Sequence, residues 1–189
     1  MITTQVRATN SINRVFRFCE CHPLCGCNKN MCLNYLMAAQ NKKQFSMQIR
    51  RVVKGPATMW GLFAMEEIPQ GTFIVEYRGE VVTKKQGDMR GSYYDHWGLS
   101  YLFDMNDPLE DELREACVQT GYHDEFFPLC LDSMFYGNES RFINHSCDPN
   151  CQSFNLSGQV ESQTLHRIGL FASRKIVLGE ELTMDYQWD

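Results

Sequence analysis

The sequence predicts an α+β chain, mostly β: one main domain of short strands, with a cysteine-rich segment ahead of it. Three observations lead there. From Ile49 onward, short runs of β-branched and aromatic residues are bounded by Gly and Pro, as strands closed by tight turns are. Helical signals are confined to two stretches. Alternating strand–helix units are absent, which argues against a Rossmann-type methyltransferase or dehydrogenase, and no Gly-rich phosphate loop appears.

The strands carry an internal echo. "GLFAMEEIPQGTFIVEY" begins at Gly61 and "GLFASRKIVLGEELTMDY" at Gly169. The Gly-Leu-Phe-Ala opening recurs, as do the isoleucines Ile68 and Ile176 and the glycines Gly71 and Gly179. The closing pairs, Glu76-Tyr77 and Asp185-Tyr186, slip by one residue. We expect two copies of one strand-turn-strand unit, with Gly71 and Gly179 supplying the turns.

Between the copies, "NDPLEDELREACVQTGY" is the main helical candidate. Asp107 can cap it, Pro108 suits its first turn, and Glu110, Asp111 and Glu112 suit the positive end of its dipole. Asp104 to Glu125 holds eight acidic residues and one basic one, Arg114. That is a solvated helix face or a surface that attracts a basic peptide. A second, weaker helix is expected to start near Thr83, in "TKKQGDMRG".

Length and charge narrow the function. At 189 residues the chain can bury one good core with a small appendage. No apolar run approaches the roughly 18 residues of a membrane span, and the opening residues lack the apolar core of a secretory signal. The formal net charge of -5 argues against a broad grip on nucleic-acid phosphates and leans toward a basic or neutral partner.

Residues 1–18 are polar and read as a flexible lead. In 19–34, Cys21-x3-Cys25-x-Cys27-x4-Cys32 places four thiols within twelve residues, with Cys19 beside them. Such a peptide is too poor in apolar residues to fold by packing. Tetrahedral thiolates suit zinc, which contributes about 10 to 16 kcal/mol to folding in peptides of this kind. The tight Cys-x-Cys spacing favours a cluster with bridging thiolates, which needs more ligands than these five. Missing cysteines, or those of another chain, would have to complete it. Free thiols are the alternative.

Several motifs occur in one order: "WGLFAMEEIPQGTFIVEYRGEVV", "SYLFDM", "YGNESRFINHSCDPNC" and "GEELTMDY". Together they resemble the SET-domain protein lysine methyltransferases, with 47–187 as the SET domain. "CECHPLCGCNKNMCLN" resembles the closing half of a pre-SET zinc cluster. "YLFD" and "YGN" look most like the heterochromatin-associated histone H3 branch. The resemblance implies a SET fold of several small sheets, in which the Asp-Tyr segment threads the Asn-His loop as a pseudoknot. It implies S-adenosylmethionine bound by Asn144 and His145, so that a cofactor satisfies the polar loop. It further implies a cofactor contact along Thr58, Met59 and Trp60, and methyl transfer lined by Tyr186 and Tyr101, the latter also touching cofactor. A histone tail, lysine nine of histone H3, and a nuclear chromatin location follow from it as well.

The chemistry is demanding on its own terms. Holding a lysine amine neutral at pH 7 costs about 4.6 kcal/mol. A desolvated aromatic channel beside a cation lowers that cost, because burial and like charge both disfavour ammonium. The rest is alignment of nitrogen with the methyl carbon. Met184 stands where the family usually carries Phe or Tyr, a position that influences how many methyl groups are added. Met offers no hydroxyl and is flexible. Tyr136 and Phe142 are expected to pack in the core.

The sequence also departs from the family. Met59 replaces the usual Gly, where a backbone at positive φ or close to cofactor would resent a side chain. The family's heterochromatin members continue into three further cysteines after Asp-Tyr; this sequence ends at Asp189, so Cys147 reads as a free thiol and Trp188 as a candidate lid. Two alternatives therefore stay open: an enzyme for a non-histone protein, and a catalytically silent SET binding module.

Overall fold

A computed structural model describes residues 17–19, 26, 45–55, 57–98, 101–105, 129–160 and 163–186. Among them, eleven strands form three small sheets, accompanied by one α-helix. Strands β2 (Met47–Lys54) and β3 (Ala57–Ala64) pair antiparallel over their whole length. A second sheet runs β5 (Glu80–Thr83), β7 (Leu129–Asp132), β6 (Leu102–Asp104). The largest runs β4 (Phe73–Tyr77), β10 (Gln163–Ala172), β9 (Cys151–Val160), β11 (Thr183–Met184), β8 (Asn144–His145). Strand β1 (Arg17–Cys19) lies parallel to β9, so the expected flexible lead is already strand at Arg17.

The echoed segments are structural copies related by matching hydrogen bonds. Ile68 and Ile176 exchange backbone bonds of 2.9 Å each way, both wholly buried. The Gly71 N–H donates to Ala172 O at 2.8 Å, and the Gly179 N–H donates to Ala64 O at 2.7 Å. Both glycines are left-handed, with φ of 75° and 85°, where a side chain would be strained. The copies do not close on themselves, however. After each turn the chain pairs with the other copy: β4 runs along β10, and the Leu182 N–H reaches Leu62 O at 2.7 Å. Two interlocked units bury more apolar surface than two separate hairpins could, since a lone two-stranded hairpin is marginal in water. Leu62, Ile68, Leu170, Ile176 and Leu182 form the shared core.

The helix expected near Thr83 is α1 (Lys84–Asp95), and Thr83 caps it in a reciprocal box with Gln86. A Cβ at Gly87 would collide with the Cys130 sulfur, so glycine there lets the helix lie close on β7. Arg90 reaches Glu80 at 2.6 Å and Asp132 at 2.7 Å, and Tyr94 donates its hydroxyl to Asp132 at 2.8 Å. Asp132, 1% exposed, is thereby satisfied in the core. The main helical candidate, 106–122, lies outside the described residues. So do Cys21, Cys25, Cys27, Cys32 and Trp188, while Cys19 is described only as the end of β1.

The thread is visible in the strand register. Strands β8 and β9 follow each other in the chain, joined by 146–150, and β11 pairs parallel with both. Thr183 and Met184 therefore pass through that loop. Asn150, 1% exposed, clamps the passage: it donates to Glu181 O at 2.8 Å and accepts from the Thr183 N–H at 2.9 Å.

Candidate active site

Asn144 is where three remote segments meet. Its Nδ2 donates to the Trp60 carbonyl at 3.0 Å and to Glu181 Oε1 at 2.7 Å. The room comes from Gly61, where an added Cβ would stand 2.7 Å from Glu181 Oε1 and 3.2 Å from Asn144 Nδ2. Trp60 reaches this junction through its carbonyl, while its side chain is 53% exposed, and Thr58 is exposed as well. Met59 is an ordinary strand residue paired with Val52. Its backbone is extended, so no positive φ arises there, and the close approach within the chain itself is at Gly61.

His145 joins the Asn144 junction to Tyr186. Its Nδ1 accepts the Tyr186 N–H at 3.2 Å, and the two rings lie edge to face at 5.6 Å. In the neutral ring the proton is then on Nε2, which is 3.4 Å from the exposed Cys147 sulfur. Asp185 stands 3.7 Å from Nδ1. The loop's polar groups are thus held largely by the chain itself: Asn144 and Asn150 by the bonds above, and Ser146 by Met184 O at 3.0 Å.

Three tyrosines converge beyond His145. Tyr186 donates its hydroxyl to Ile143 O at 2.6 Å. Burial pushes its pKa up, and Tyr77, Tyr101 and Glu181 nearby push it further. Burial likewise raises Tyr77, whose hydroxyl bonds Ser133. Both stay protonated at neutral pH. Tyr101 holds the Ser133 N–H with its carbonyl at 2.9 Å, and the Arg141 guanidinium carbon lies 4.3 Å over its ring. The 3-10 turn Glu139–Phe142 carries Arg141 and delivers the chain into β8.

Met184 is 5% exposed and packs in the main core at the thread. Phe142 packs against that core as expected, but Tyr136 is 70% exposed and does not. Sequence reasoning missed Gly61, Tyr77, Arg141, Asn150 and Glu181. The echo could have revealed Tyr77, since it is the first copy's counterpart of Tyr186. Among the described residues, no group of three or more His, Cys, Asp or Glu side chains is placed to hold a metal ion. No helix among them is long and apolar enough to cross a membrane.

Comparison with known proteins agrees with this geometry. The SET domain family model matches residues 59–187. The histone-lysine N-methyltransferase SUV39H2 of Gallus gallus is 39% identical over 168 residues, covering 89% of this chain and 36% of that protein. SUV39H2 of Homo sapiens is 38% identical with the same coverage. SUV39H1 of Xenopus laevis is 37% identical over 171 residues, 90% of this chain and 35% of its own length. The chain spans about a third of the length of the curated relatives it matches. With its threaded β8–β11 junction and its family match over most of its length, the chain belongs to the SET-domain family.

Proposed function

We propose that this chain is a protein lysine N-methyltransferase, acting with S-adenosylmethionine on a lysine of a histone tail, lysine nine of histone H3. The observation that carries the reading is the convergence of Tyr77, Tyr101 and Tyr186 on the Asn144–His145 junction. The names of the SUV39H relatives support the substrate, and chromatin in the nucleus follows from it.

The residues present suit the cofactor. The groups around Asn144 are acceptors: the Trp60 carbonyl, the Glu181 carboxylate and Asp185 beyond His145. Such a set favours a cationic ligand carrying an ammonium and a sulfonium. Bound there, S-adenosylmethionine would supply an electrophilic methyl for a neutral lysine nitrogen, and Trp60, Asn144 and His145 would hold the cofactor side. Tyr186, kept protonated, offers a fixed hydroxyl, and the ring of Tyr101 walls the lysine side. Buried Tyr77 and half-buried Tyr101 and Tyr186 keep water from this side, which strengthens each of these contacts. Zinc on Cys19, Cys21, Cys25, Cys27 and Cys32 remains a proposal from their spacing, checked by metal analysis of the purified protein.

The experiment is methyl transfer from radiolabelled S-adenosylmethionine to a histone H3 tail peptide, beside Tyr186→Phe. Label that enters the peptide and falls in the variant supports the proposal. Absence of transfer together with absence of cofactor binding overturns it.

A further inference from the structure

Arg141 differs from four other arginines of the domain. Arg78, Arg90, Arg167 and Arg174 each pair with a carboxylate. Arg141 forms no ion pair among the described residues, and its Nε is buried without a hydrogen-bond partner. Its guanidinium instead lies over Tyr101 at 4.3 Å and over Phe142 at 5.5 Å. A buried guanidinium nitrogen without a partner is costly, and ring contacts offset only part of that cost.

We propose that Arg141 sets the charge state of the substrate, disfavouring ammonium on the lysine that enters beside Tyr101. The inference rests on the methyltransferase reading. Its physical basis is like charge: a cation a few ångströms from an amine favours the neutral, nucleophilic form. Guanidinium does not deprotonate in proteins, so the bias holds at every working pH.

Among the described residues, the surrounding groups leave that charge standing. Tyr77 faces it as a neutral hydroxyl, and Tyr186, beside Tyr77, is neutral as well. Strand β3, packed on the Arg141 turn, carries no titratable side chain. On β4, Glu76 is engaged by Arg78 and Arg167. Asp132 on β7 is engaged by Arg90 and Tyr94. Glu181 is engaged by Asn144, and His145 by the Tyr186 N–H, both on the cofactor side.

The test is the pH dependence of kcat on the H3 peptide from pH 7 to 9 for wild type, Arg141→Met and Arg141→Lys. This profile reports on groups in the enzyme–substrate complex. Arg141→Met is expected to lower kcat at pH 7 about tenfold for each unit by which the amine pKa rises. The loss should shrink toward pH 9, and Lys should keep the wild-type profile. A peptide whose lysine carries sulfur in place of a methylene, and so a less basic amine, should rescue the Met variant more than wild type. If Arg141→Met does not fold, Arg141→Gln is read the same way. An unchanged ratio of rates at pH 7 and 9 overturns the inference. So does an equal loss at every pH that Lys does not rescue, the mark of a residue that only props the Tyr101 ring. Wild type without transfer at any pH overturns the methyltransferase reading itself, whereas active wild type with an unaltered variant profile overturns only the role of Arg141.

Discussion

Tyr186 and Ile143 are joined by a 2.6 Å hydrogen bond, the Tyr186 hydroxyl donating to the Ile143 carbonyl. That bond links the chain leaving the thread to the chain entering β8. Tyr186→Phe removes the donor and leaves an acceptor short of a partner, at a cost of about 1–3 kcal/mol. We expect methyl transfer to fall by about a hundredfold, the scale for losing one preorganised donor. Single-turnover transfer and a thermal melt, run together, separate the two effects. An unaltered rate would remove Tyr186 from the reaction.

Met184 sits in the core at the thread, where the family usually places an aromatic residue. Wild type should add more than one methyl group, because thioether leaves no hydroxyl to crowd a growing methylammonium. Met184→Tyr should shift the product toward monomethyl, with about 1–3 kcal/mol of overpacking. Mass spectrometry of the peptide decides; wild type stopping at monomethyl contradicts the assignment.

Asn150 holds the threaded segment from inside the loop it passes through. In Asn150→Ala the Thr183 N–H and the Glu181 carbonyl lose their partner. The expected destabilisation is about 2–3 kcal/mol, read as a lowered midpoint in urea. A change under about 0.5 kcal/mol, the size of a surface substitution, would show that the thread holds without its clamp.

Acid should loosen the α1–β7 contact. Burial pushes the Asp132 carboxyl up, but hydrogen bonds from Arg90, the Met134 N–H and Tyr94 outweigh it and hold the carboxyl below its usual range. A depressed folded-state pKa gives stability that is complete above the unfolded value, near 3.9, and is lost as pH falls through the folded value. The melting temperature should therefore be flat from pH 7 to about pH 5 and drop below about pH 4. Asp132→Ala should cost about 3 kcal/mol at pH 7 and lose part of that acid sensitivity. A melting temperature that rose on acidification would reverse the sign and refute the account.

The sequence by itself determined what depends on neighbours in the chain. Gly71 and Gly179 mark left-handed turns because a side chain is strained there, and Thr83 with Gln86 marks a helix start because the two cap each other's backbone. The ordered motifs likewise named Asn144, His145, Tyr101 and Tyr186. Tertiary structure decided which segments satisfy one another. The echoed copies interlock rather than fold as hairpins, and Gly61 leaves the room in which Asn144 meets Glu181. Asn144 bonds a carbonyl 84 positions away, and Asn150 clamps residues some thirty positions on. Arg141 is indistinguishable in sequence from a surface arginine; only the fold lays it on Tyr101 with no described carboxylate to pair it. Local conformation follows from sterics within a few residues, whereas partners for buried polar groups are assigned by strand pairing across the whole chain.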